Sequence, residues 1–114
     1  MRAATEVWTF DPVLQPNRNW VGYKVHTTDG DIGKVDELTT EAGRGSIVVD
    51  TGPWIFGKKR MLPAACVHSI NHDAKTITVS LTKDQVKQAP DYEELRQNQE
   101  DYRTAHGDYY GRIL

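Results

Sequence analysis

Between Val21 and Leu81 the chain is written as six short extended runs, each closed by a turn signal, and this spacing admits few architectures. The first run, Val21–Thr27, enters Thr28-Asp29-Gly30-Asp31, where Gly30 supplies the positive φ of a tight hairpin. Ile32–Thr39 follows, then the flexible link Glu41-Ala42-Gly43-Arg44-Gly45, then the β-branched run Ser46–Thr51. Gly52-Pro53 ends that run because proline cannot donate to a ladder. Lys58–Leu62 and Cys66–Asn71 are the next two runs, separated at Pro63, and Asn71-His72-Asp73-Ala74 turns into Thr76–Leu81. In that last run Ile77, Val79 and Leu81 alternate with Thr76, Thr78 and Ser80, so the apolar set faces inward. Six strands in so short a stretch favour a small closed or nearly closed barrel, since closure removes unpaired edges.

After Leu81 the period changes. Thr82-Lys83-Asp84-Gln85 fits a capping box and starts a short helix that Ala89-Pro90 stops. Asp91-Tyr92-Glu93-Glu94 repeats the start signal with acids in the first turn, which predicts a second helix from Tyr92 to about Ala105 with Gly107 as its end. Its apolar stripe, Tyr92, Leu95 and Tyr102, is narrow. Ahead of the barrel, residues 1–19 show neither period, yet Val7, Trp8, Phe10, Val13 and Leu14 are too apolar for a solvated tail. The expected organisation is an arm (1–19), a barrel (20–90) and a C-terminal helix with a Tyr-rich tail (91–114), on the scale of one domain.

Charge narrows the function. Fourteen basic and sixteen acidic residues give −2, so no global basic excess drives binding to nucleic acid or anionic lipid. Residues 1–20 and 21–82 each balance, and 83–114 carries five bases against seven acids. Cys66 is alone, which removes an intrachain disulfide and suits a reducing compartment. No apolar run has the length of a signal peptide core or a membrane span, so the expectation is a cytoplasmic protein without membrane insertion.

An ordered set of motifs resembles the PRC-barrel family. It comprises Val21-Gly22, Asp29-Gly30-Asp31-Ile32-Gly33-Lys34-Val35, Ile47-Val48-Val49, Gly57 to Pro63, Ile77-Thr78-Val79, Leu81 to Gln85, and Ala89-Pro90. That family is named for the cytoplasmic domain of the photosynthetic reaction-centre H subunit, and it is similar to the C-terminal domain of a ribosome-maturation factor. The resemblance implies a six-stranded β-barrel acting through protein surfaces as an adaptor or assembly module, with no shared catalytic residue. An accessory role in assembling electron-transport complexes follows from the resemblance alone.

The residues themselves point away from catalysis and bound cofactors. His26, His68, His72 and His106 lack the spacing of a zinc site, and no Cys-x-x-Cys accompanies them. Cys66 has His68 two residues on in the same strand, hence on the same face, and reads otherwise as a small buried hydrophobe. Asp29/Asp31 and Glu93/Glu94 are accounted for by turn bonding and dipole compensation. Gly30 and Gly33 lack the third glycine and the βαβ setting of a dinucleotide fingerprint.

Two surfaces remain. The loop carrying Trp54, Ile55 and Phe56 is followed at once by Lys58, Lys59 and Arg60, and aromatics beside arginine are the residue types that anchor interfaces. It serves either as a partner-binding loop, with weak RNA contact as its alternative use, or as a cap on the barrel end. At the termini, Trp8, Phe10, Tyr109, Tyr110, Ile113 and Leu114 are candidates for self-association, most simply as a two-fold dimer. The expectation is therefore a non-catalytic, self-associating protein-interaction module.

Overall fold

The computed structural model describes residues 6–41, 43–52, 59–90, 92 and 100–114. All six strands form: β1 (Lys24–Thr27), β2 (Gly30–Thr39), β3 (Ser46–Asp50), β4 (Lys59–Pro63), β5 (Val67–Asn71) and β6 (Thr76–Val79). They join one sheet in the order β4-β3-β2-β1-β6-β5, antiparallel except for the parallel β1–β6 pair. Register shifts at Val25/His26, Val35/Glu37 and Val67/Ser69 bend the sheet, because an extra residue in one strand raises the local twist. The bending is enough for all six strands to share one core, from Val25, Ile32, Val35, Ile47 and Val49 to Leu62, Val67, Ile77 and Val79. Among the described residues no ladder joins β4 to β5. The two ends of the curled sheet are connected by a 3₁₀ turn at Ala64–Cys66.

The inward alternation of Ile77 and Val79 is as expected, and Leu81 stays buried although β6 ends two residues earlier. β3 is buried on both faces, which is why its sequence is a continuous apolar run rather than an alternating one. Ile47 and Val49 enter the main core, while Val48, opposite Met61 of β4, joins a second cluster with Val7, Trp8 and Tyr102. The N-terminal arm and the C-terminal helix form that outer cover.

The arm is two 3₁₀ turns, Glu6–Trp8 and Pro12–Leu14, the second started by Asp11, whose side chain accepts from the Val13 amide, and by Pro12 at the first helical position. Phe10 meets the buried Trp20 edge-on at 5.1 Å. Helix α1 (Lys83–Lys87) has the predicted capping box: Gln85 N donates to Thr82 Oγ1 at 3.2 Å and Thr82 N donates to Gln85 Oε1 at 2.9 Å. Its Val86 is buried in the main core.

The last helix departs from the sequence reading. Its described part, α2, spans Glu100–Ile113 and runs through Gly107 and Gly111 instead of stopping at Ala105. Tyr102, His106, Gly107, Tyr110 and Gly111 are its buried positions, so the small glycines lie on the packed face rather than at a C-terminal turn. α2 packs on β4 and on the first 3₁₀ turn, covering one end of the sheet. No described helix is long and apolar enough to cross a membrane.

Candidate functional site

The β3–β4 loop was the foremost sequence candidate, and its Trp54, Phe56 and Lys58 lie outside the described residues. The two strands that hold it are paired up to Asp50 opposite Lys59. Lys59 Nζ donates to Asp36 Oδ2 at 2.7 Å, and that bond raises its pKa, with Glu37 and Asp50 adding to the same negative field. Lys59 thus sits among three carboxylates, a poor setting for a phosphate.

Arg60 is a correction to the expected basic rim. It is 4% exposed and shares a sheet face with Val49, so its side chain starts inside the curl. Its Nε donates to the Val86 carbonyl at 3.1 Å, and a terminal nitrogen to the Lys87 carbonyl at 3.1 Å. The guanidinium therefore adds a charged donor to the carbonyls and negative dipole at the C-terminal end of α1, locking that helix over the sheet. The planar fork of arginine suits two adjacent acceptors in a way lysine does not. Sequence alone carried no sign of this, because the acceptors lie 26 and 27 residues further along the chain.

The terminal candidates are placed more informatively. Trp8, Phe10 and Tyr110 are buried within their own chain, which removes them from an open self-association surface. Arg103 of α2 stacks its guanidinium 4.3 Å over the Trp8 ring and donates to the Arg44 carbonyl at 2.7 Å, clasping arm, helix and the β2–β3 link together. Tyr109 is half-buried and donates through its hydroxyl to the Gln85 carbonyl of α1 at 2.6 Å. Ile113 and Leu114 stay half-exposed.

Around these segments the surface is recessed. A recess of about 460 Å³ is bounded by Thr9, Phe10, Pro12, Ala64, Ala65 and Val67. A second, of about 320 Å³, is bounded by Ala65, Ser80, Ile113 and Leu114, so the two border each other at Ala65. A smaller one on the other side of the arm continues along Trp8, Phe10, Glu41 and Gly45. Val13, beside Pro12, is 77% exposed and, among the described residues, is one of two large apolar side chains left in solvent, Val21 being the other. The sequence had marked Phe10, Ile113 and Leu114 as sticky, and the structure brings these three to the recesses. It missed Ala65, a small residue whose only signal was the Pro-Ala-Ala step between two strands.

His72 and His26 hold structural positions. His72 Nε2 faces the Leu14 carbonyl at 3.2 Å, so it must donate there, which leaves Nδ1 to accept from the Tyr23 hydroxyl at 3.2 Å. That ring ties the arm to the start of β1 and the β5–β6 turn. His26 pairs with Asp31 across the β1–β2 hairpin. Cys66 and His68 do not share a face: Cys66 is buried in the 3₁₀ turn, whereas His68 is exposed in the bulged start of β5. Asp29 accepts from the Lys83 amide at 2.8 Å and from the Thr27 hydroxyl at 2.9 Å. Those bonds hold its carboxyl below the usual carboxylate range and fix the hairpin turn to the start of α1. Among the described residues no three His, Cys, Asp or Glu side chains gather as a metal site.

Taken together these features define a mainly β protein: a bulged, curled six-stranded sheet, clasped by the arm and the last helix, with one recess beside the arm and another beside the end of that helix. Among solved structures the chain is similar to a protein from Pseudomonas aeruginosa described as a 16S ribosomal RNA processing protein, RimM, at 26% identity and a TM-score of 0.48. That similarity covers 60% of this chain and 46% of the other, so this chain spans less than half the length of the structure it matches. No protein-family model and no curated protein matches the chain.

Proposed function

We propose that this chain is a non-catalytic, PRC-barrel-type protein-interaction module whose contact surface is the row of recesses along the arm and the end of α2. The observation that carries this reading is the juxtaposition at Ala65 of two open recesses walled by the chain's two terminal segments, with Val13 standing out beside them. Half-exposed Ile113 and Leu114 supply the apolar contact that an interface core needs, and a shallow open groove suits a protein segment better than an enclosed small molecule. The ordered sequence motifs add support through the family they resemble. The roles of Arg60, His72, Asp29 and His26 in holding the fold together favour a scaffold over an active site.

The partner is another protein chain, a second copy of this one included. Capture from native cell extract on the immobilised protein, with and without nuclease, tests the reading when repeated with Ala65→Trp, which fills the shared wall of the recesses. Nuclease-resistant capture that is lost in Ala65→Trp is the expected result, and sedimentation of both proteins reports on self-association. Capture that vanishes with nuclease, or that Ala65→Trp leaves intact, overturns it.

A further inference from the structure

His106 has no solvent exposure. Its Nδ1 lies 3.0 Å from the Tyr102 carbonyl one turn back. A carbonyl only accepts, so Nδ1 carries the proton and Nε2 is left with a buried lone pair that makes no hydrogen bond of good geometry among the described residues. The groups that face the ring come from each element packed on it. From α2 these are Tyr102, whose ring centre is 4.5 Å away, Arg103, and further along Tyr110, whose buried hydroxyl is also unpartnered. From β4 it is Arg60, and from the segment after α1 the Pro90 carbonyl, while the Cys66 thiol acts on Tyr110. The formal charges in that set are the two arginines, both positive.

We propose that α2 is an acid-released clasp: protonation of His106 sets a third positive charge beside Arg60 and Arg103 in a buried interface and drives the helix off β4 and the arm. Burial pushes the His106 pKa below the usual histidine range, and Arg103 and Arg60 push the same way, while the Tyr102 and Pro90 carbonyls resist. The undocked helix binds the proton more tightly than the docked one. Docking is therefore at full strength above the ordinary histidine value of about 6.5, and weakens by up to tenfold per pH unit as pH falls toward the docked value. Release takes Tyr102 out of its cluster with Trp8, Val48 and Met61, and removes the Ile113 and Leu114 wall of the second recess. The clasp is independent of whether those recesses take a partner.

Amide hydrogen exchange on the full chain between pH 7.5 and 4.5, corrected for the intrinsic pH dependence of exchange, reads the clasp directly. Protection in α2 is expected to fall about tenfold per pH unit below 6.5 while the amides of β1, β2 and β3 hold theirs. In His106→Phe, which keeps an aromatic ring but cannot charge, α2 protection should stay flat over the same range. His26, His68 and His72 remain in that variant and serve as the internal control. Equal pH dependence in both proteins, or parallel loss of protection in helix and sheet, overturns the proposal. Should His106→Phe fail to fold, the His106 ring signal in the natural sequence decides. Titration coincident with loss of α2 protection supports the clasp, and titration at an ordinary histidine value with the helix still protected overturns it.

Discussion

Gly33 sits in β2 with φ 140°, where a Cβ would lie 2.0 Å from the Asp50 carbonyl oxygen of β3. Backbone, unlike a flexible side chain, cannot move aside without breaking the ladder on which both strands depend. Gly33→Ala should therefore cost roughly 3 kcal/mol or more, combining strain with lost pairing, as measured by urea unfolding. Gly45 plays a different part: a Cβ there would come 2.9 Å from the Trp8 carbonyl, so its absence lets the arm close onto the β2–β3 link through the 2.8 Å Gly45 N to Trp8 O bond. Arg60 is the residue that sequence reading placed least well. A run of Lys-Lys-Arg after aromatics reads as a surface, and only the return of α1 over the sheet turns its last member inward. Arg60→Ala should lose about 2–4 kcal/mol, because two carbonyls lose a charged donor and a buried stem is removed. Affinity for a labelled single-stranded RNA should not change in the same variant. A variant that unfolds like the natural protein but loses RNA binding would return Arg60 to the surface role.

At the scale of elements, what was legible follows from how local the signal is. Every strand is bounded by its own turn residues, so all six emerge within a few residues of their predicted limits, and the α1 capping box is spelled out within four consecutive residues. Thr82→Ala removes one half of that box and should cost about 1 kcal/mol, whereas Lys83→Ala, one position inside the helix, should be near neutral in the same thermal or urea melt. α2 was harder to read because its buried face is written in Tyr, His and Gly rather than in aliphatic residues, and two glycines look like stops. Glycine costs a helix about 1 kcal/mol relative to alanine in isolation. Here Gly107 and Gly111 are both buried on the packed side, where tertiary contact outweighs intrinsic preference. The sheet's two end strands are also handled differently. β4 is covered by α2, while β5 opens its exposed stretch with a bulge at His68 that interrupts the regular edge another strand would pair with.

For the molecule as a whole, the decisive fact is that both termini belong to the core. The sequence shows apolar ends and leaves open whether they meet their own barrel or a neighbour's, since a segment that docks on one copy can dock on the next. In the structure Val7 and Trp8 from one end and Tyr102 from the other close a single cluster over Val48 and Met61, while Phe10 and Tyr110 enter the main core. That arrangement makes the last helix part of the fold rather than an appendage. Removing residues 100–114 would uncover one face of β3 and β4, strip Trp8 of its Arg103 partner and leave a hole where Tyr110 sits. Loss of one large buried aromatic costs about 3–5 kcal/mol, and a domain of this size has only about 5–15 kcal/mol in total, so losing Tyr102 and Tyr110 together with their helix should remove much of it. The truncated chain is therefore expected to keep its β-sheet signal but to bind a hydrophobic dye and to melt well below the full-length protein. A truncated chain that melts within a few degrees of the full-length protein and binds no dye would show that the helix adds little to the stability of the sheet.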